Sequence, residues 1–219
     1  DTTAPAVISS IARDYLANSA LRAVIVRVTE GGAEVATVAF GESMTGVPAT
    51  ADMHFRNGAV AIAYLATLML RFVDEGRLGL DDPIDAWVPD LPDAGEVTPR
   101  MLANMTAGYP DYVPNPDFVS QVYTYPFRSW TGDELIEYGL APPRSFAPGT
   151  NWDYSHTNMV ILGRVLEAVG GQPLADLLEQ YVLAPLGLTN TTSSQSAAIP
   201  EPVLHAFSSE RRGALGIPD

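Results

Sequence analysis

Residues 54–83 read HFRNGAVAIAYLATLMLRFVDEGRLGLDDP. The segment opens extended and runs into an amphipathic helix. Between 59 and 75, Val60, Leu65, Leu68, Met69, Phe72 and Val73 recur at the spacing of a buried helical face. Gly76 stops that helix, since glycine takes a left-handed backbone at little steric cost. Ala59 and Ile62 stand three residues apart on one side of the helix start. Both are alkyl, so the start is expected to pack against apolar neighbours with no buried charge to satisfy.

Working outward, residues 4–18 carry Val7, Ile8, Ile11, Tyr15 and Leu16 at helical spacing. Residues 21–29 and 34–40 are rich in β-branched side chains and flank Gly31-Gly32, which predicts a β-hairpin. Asp74, Glu75, Asp81, Asp82, Asp85, Asp90, Asp93 and Glu96 make an acidic stretch. It lacks the twelve-residue spacing of a calcium loop, so a solvated face is expected there and no metal. Leu80-Asp81-Asp82-Pro83 reads as a capped turn opening a short helix. A further short helix is expected at 98–105. Residues 109–130 hold Tyr109, Tyr112, Phe118, Tyr123, Tyr125, Phe127 and Trp130, too aromatic for a linker. A packed irregular segment or binding-loop wall fits them. Thr131 with Glu134 predicts a capping box for a helix at 132–139. Helices are expected at 157–169, ended by Gly170-Gly171, and from Pro173 to about Ala184.

The 219 residues carry 47% hydrophobic and 17% charged side chains, a globular composition. Such a chain can bury about 70% of its unfolded surface if it is a whole fold. No run reaches the ~18 apolar residues of a membrane span. No signal peptide is read before Asp1, so any targeting segment is expected to have been removed or never to have existed. A net charge of −14 repels nucleic acid, and Arg211-Arg212 is only a pair. There is no cysteine, which excludes disulfide and thiolate chemistry without fixing a compartment. There is no lysine either; all twelve basic residues are arginine. Nothing in the sequence asks for a cofactor.

Four segments in order resemble the class C-like branch of the serine β-lactamase and penicillin-binding-protein superfamily, with its D-alanyl-D-alanine carboxypeptidases and esterases. They are Phe55 to Pro83; Trp87 to Leu91 with Leu102 to Tyr109; Phe146 to Gly149 followed by Trp152 to Asn158; and Leu183 to Leu188. The likeness runs from 20 to about 192. It implies an α+β fold of the β-lactamase/transpeptidase type, a helical region packed on an antiparallel sheet. Residues 1–219 would then be the N-terminal and helical portion of one domain, with the C-terminal strands absent. The hairpin would keep an open edge, and a complementary C-terminal fragment or a second subunit is expected to fill it. The polar tail from Ser193, with Ser193-Ser194-Gln195-Ser196, is expected to be a loop open to cleavage.

The resemblance also implies a site. These enzymes begin the helix with Ser-x-x-Lys, where the lysine one turn on relieves the serine of its proton. A Tyr-x-Asn motif joins the relay, and backbone N–H groups hold the oxyanion. Here Ala59 takes the serine position and Ile62 the lysine position; Tyr154 is kept, and His156 stands at the asparagine. Asn104-Met105-Thr106-Ala107-Gly108 replaces a stretch that commonly reads Thr-His-Thr-Ser-Gly. No catalytic set is intact. Tyr154 also reads as a core tyrosine with a satisfied hydroxyl. Adjacent Ser155 and His156 are not expected to face each other in triad geometry. Gly41-Glu42-Ser43-Met44-Thr45-Gly46 misses the nucleophile elbow by one position and reads as a turn. His54 and His205 show no metal-ligand spacing.

The sequence therefore points to a catalytically degenerate family member with a binding or scaffold role, exported to a bacterial envelope as a periplasmic, secreted or lipid-anchored protein. A pocket for a peptidoglycan-like peptide or another acyl ligand is expected, walled by Ala59, Ile62, Tyr154, His156 and the aromatic segment. The alternatives are a serine hydrolase inactivated at position 59 or using a relocated nucleophile, and an interaction module with a filled pocket.

Overall fold

The computed structural model describes residues 3–126, 128–194 and 196–206. Phe127, Gln195 and Arg211-Arg212 lie outside the described residues. The chain forms two compact units, residues 1–56 with 198–219, and residues 57–197.

In the first unit, helix α1 (Ala4–Ala17) precedes strands β1 (Ala23–Glu30), β2 (Ala33–Met44) and β3 (Val47–Pro48), an antiparallel sheet in the order β1-β2-β3. The two-residue turn at Gly31-Gly32 has φ of 57° and 83°, the doubly positive pair that matches strand twist. Cross-strand partners Val24 with Phe40, Val26 with Val38 and Val28 with Ala36 line one face. Helix α1 packs on β2 through buried Ala12, with the Arg13 guanidinium 4.6 Å above the Phe40 ring. Two expectations change here. β2 runs through Gly41 to Met44, so only Thr45-Gly46 turn. Ser43 is buried; its hydroxyl donates to Val203 O at 2.6 Å and accepts from His205 N at 3.0 Å. The tail is accordingly no free loop at 202–205, where His54 N donates to Pro202 O and Leu204 N to His54 O.

In the second unit a 3-10 turn (Gly58–Val60) leads into α2 (Ala61–Asp74). Leu68, Met69 and Phe72 are buried as the periodicity predicts. Val60 is 60% exposed, and Ala59 is exposed too. Both sit in the tighter turn before the α-helix, so the 3.6-residue repeat does not carry them inward. Gly76, at φ 68°, closes α2: its N–H donates to Val73 O and that of Arg77 to Phe72 O, both at 2.9 Å.

A 3-10 turn at Ile84–Ala86 follows, then α3 (Pro99–Ala103), α4 (Pro116–Thr124), α5 (Gly132–Leu140), α6 (His156–Gly170) and α7 (Leu174–Leu178), which continues as a π-helical turn, Glu179–Leu183. α3 is shorter than the expected 98–105 because Met105 adopts φ 66°. α4 corrects the irregular reading of 109–130: the Asn115 side chain accepts from the N–H of Asp117 and Phe118 and starts a helix. Both bonds of the Thr131–Glu134 box are present. The Thr131 backbone N–H, then Arg128 and the Thr131 hydroxyl, hold the Glu134 carboxyl below its ordinary range. Several acidic residues are partnered. Asp81 meets Arg100 through two bonds of 2.7 and 2.8 Å, and Asp82 accepts from Gly79 N.

The core centres on α6. Ile161, Leu162, Val165 and Leu166 are fully buried, and α2, α3, α5 and α7 pack around them. Each such side chain contributes about 1.5–3 kcal/mol by leaving water. Phe72 meets α6's neighbours from α2: it is fully buried, its ring lies 5.3 Å from that of Tyr181, and Arg77 sits 4.1 Å above it. Phe72→Ala is expected to lower the unfolding free energy by about 3–5 kcal/mol, read from urea denaturation followed by circular dichroism.

Candidate functional site

The burial of α6 sets where its first residue stands. His156 opens that helix, and Ser155 before it has an extended backbone, φ −147° and ψ 118°. Ser155 occupies the N-cap position yet makes no capping bond. The cap comes from the 109–113 loop instead. Asp111 Oδ1 accepts the His156 backbone N–H at 3.1 Å and the Val113 N–H at 3.2 Å. A carboxylate there meets the positive end of the helix dipole. The loop is fastened a second time, by the Tyr112 N–H to Thr157 Oγ1 at 3.2 Å.

The same carboxylate takes the imidazole. His156 Nδ1 lies 3.2 Å from Asp111 Oδ1 and 3.0 Å from Oδ2. An ionised carboxylate only accepts, so Nδ1 carries the proton. Nε2 is left on the ring edge away from Asp111, with no hydrogen bond among the described residues. The side chain is 37% exposed. Aromatic rings hold it: Tyr154 stands edge-on with centroids 4.9 Å apart at 90°, and Tyr112 at 6.0 Å. Tyr112 continues to Phe118, which meets Trp130 and Tyr138. Burial first, then the charges of Asp111 and Tyr154, push the Tyr112 phenol above its ordinary range. Tyr112 is thus kept protonated.

Arg144 braces the loop from behind. It donates to Ala107 O and to Pro92 O, pairs with Asp93 at 3.0 Å and covers the Tyr109 ring at 4.2 Å. Tyr109 is 2% exposed and donates to Pro92 O at 2.7 Å.

Among the expected site residues, Tyr154 and His156 are brought together. Tyr154 is 37% exposed, which excludes the core-tyrosine reading. Ala59 is exposed in the 3-10 turn; Ile62 is half-buried and packs on the core. A cleft of about 170 Å³ does lie beside the helix start. Asn57, Ala61, Tyr64 and Leu65 are among the residues that line it. Ser155 Oγ is buried and has no hydrogen-bond partner among the described residues, and the His156 ring turns to Asp111, so the two adjacent residues form no pair. Of the aromatic segment, Tyr112, Phe118 and Trp130 pack in the cluster and Tyr109 is buried beneath Arg144, while Tyr125 is exposed.

Sequence reasoning missed Asp111. It is 45 positions from His156, and its only local signal is a turn, Tyr109-Pro110-Asp111-Tyr112. It also missed the strain behind the site. Met105 holds φ 66°, and its Sδ lies 3.8 Å from Asn158 Nδ2. Asn158 is fully buried, and its Oδ1 has no hydrogen-bond partner among the described residues.

Comparison with known proteins places this geometry. The family model described as Beta-lactamase matches residues 8–219. Penicillin-binding protein 4* of Bacillus subtilis is 28% identical over 82% of this chain and 40% of its own length. Esterase EstB of Burkholderia gladioli is 33% identical over 65% of this chain and 39% of its own. The chain thus spans about two fifths of the curated relatives it matches. Among solved structures, a D-stereospecific amidohydrolase from a Streptomyces species superposes with a TM-score of 0.79 at 29% identity, covering 89% of this chain and 59% of that one. D-amino acid amidase from Ochrobactrum anthropi, in complex with L-phenylalanine, gives 0.78 at 28%, covering 88% and 52%.

Histidine tolerates a positive φ better than methionine, and an imidazole nitrogen lone pair accepts from Asn158 Nδ2 more strongly than a thioether sulfur does. Met105→His is expected to raise the unfolding free energy by about 1 kcal/mol in urea denaturation.

Proposed function

The chain belongs to the β-lactamase family, and on that premise we propose that it binds acyl ligands without becoming acylated itself. The observation that carries this reading is the pair Ala59 and Ile62. A methyl group cannot attack a carbonyl carbon, and a butyl group cannot take a proton. Ile62 is committed to the core, where a lysine would leave an ammonium half-buried among apolar side chains. Serines elsewhere offer little relief: Ser155 Oγ is inaccessible and Ser43 Oγ is engaged on both sides.

What remains presented to solvent is a recognition surface: Tyr154, His156 and the exposed Trp152, braced by the aromatic cluster. Those groups suit a peptidoglycan-like peptide or a related acyl compound, in an exported bacterial protein. Matches to penicillin-binding proteins and an esterase support that ligand class. No helix among the described residues is long and apolar enough to cross a membrane.

The reading also calls for a complementary polypeptide, either a C-terminal segment or a second subunit. β1 is an edge of its sheet among the described residues, and Val7, Ile11 and Tyr15 leave an exposed apolar stripe along α1. An unpaired edge beside an apolar stripe is a strand-pairing and packing site.

Labelled penicillin and a fluorophosphonate probe test the central statement. The protein is expected to show no covalent adduct by intact mass. Ala59→Ser combined with Ile62→Lys is expected to gain one, provided circular dichroism shows it folded. Stable labelling of the unaltered chain at a defined residue would refute the reading.

A further inference from the structure

We propose that Asp111 and His156 form a proton-transfer pair that lets this site hydrolyse reactive carboxylic esters slowly, with water as the nucleophile and no covalent intermediate. This goes beyond ligand binding and rests on that reading only in taking an acyl ligand at the site. The pair has the parts a general base needs. Nδ1 is held by both oxygens of Asp111, at 3.2 and 3.0 Å, which assigns the proton to Nδ1 and leaves the Nε2 lone pair outward. The carboxylate is itself fixed by two backbone N–H groups, those of His156 and Val113. Tyr154 and Tyr112 clasp the ring edge-on, so the imidazole has little freedom to swing away. The titratable groups facing it are Asp111 and Tyr112 from the loop and Tyr154 from the segment before α6. Tyr112 is held protonated by burial, so it does not compete for the proton. Trp152, two residues before Tyr154, lies exposed and offers a flat apolar surface to an ester's organic group.

The step balances without any further reactant. A water oxygen forms the bond to the acyl carbon as one of its protons passes to Nε2. The carbonyl π pair moves to oxygen, and Asp111 offsets the charge gained by the ring. The intermediate then collapses: the bond to the leaving oxygen breaks, and that oxygen leaves with the proton from Nε2, or as a stable anion while Nε2 passes its proton to bulk water. The products are a carboxylic acid and an alcohol. Asp111 acts through His156 and is a positioning residue.

The test uses the full chain carrying His54→Gln and His205→Gln, which removes the other two imidazoles, with p-nitrophenyl acetate as probe. The expected result is steady release of p-nitrophenolate without a burst or covalent label, rising with pH along a single titration. His156→Ala is expected to lose at least tenfold, and added imidazole to restore part of that loss. Asp111→Asn is expected to lose about tenfold and to flatten the pH dependence, while Asp111→Glu retains more of the rate. Circular dichroism confirms that each variant is folded; where His156→Ala is not, His156→Gln replaces it. Rates within twofold between the parent and the folded His156 variant would overturn this inference and leave the binding proposal standing. Turnover through a labelled side chain would instead overturn the binding proposal.

Discussion

One carboxylate organises the site. Asp111 caps α6 from outside the helix, accepts the His156 N–H, and orients the His156 ring with the same carboxylate. Helix N-termini leave donors unsatisfied and present a positive dipole end, so an anion from a neighbouring loop is drawn there. Ser155 does not satisfy the cap, which leaves the place to Asp111. The loop then becomes as well placed as α6, and α6 is among the most deeply buried elements of its unit. Core packing is thereby converted into a fixed orientation for one partly exposed imidazole.

The proposed reading turns on the helix start, where both side chains are alkyl. Ala59 sits exposed in a 3-10 turn, and Ile62 contributes to the core. Tyr154 and His156 stand together, and His156 has a carboxylate of its own. An alkyl side chain at 62 leaves the fold no half-buried ammonium to accommodate.

Much of the scaffold was legible because its signals are local. The periodicity of α2, the glycine pair of the hairpin, the Gly76 stop and the Thr131–Glu134 box each act within a few residues, and each forms as expected. The failures share a cause. Val60 and Ala59 were assigned to the helical repeat, but a 3-10 turn resets the phase before α2. α4 was hidden because aromatic residues dominate a nine-residue helix whose start depends on one Asn115 side chain. The Ser43 clamp and the Asp111–His156 pair join residues 160 and 45 positions apart, and no periodicity carries that information. Tyr154 and His156 were found from motif position alone; the carboxylate that gives His156 its chemistry was not.

The account stands on Asp111 holding the proton of His156 on Nδ1. Long-range ¹⁵N–¹H correlation spectra of the histidine rings, recorded where the imidazole is neutral, report that tautomer directly. The Nδ1–H form is predicted for His156, with mixed tautomers once Asp111 is replaced by asparagine. A dominant Nε2–H form in the unaltered protein would contradict it.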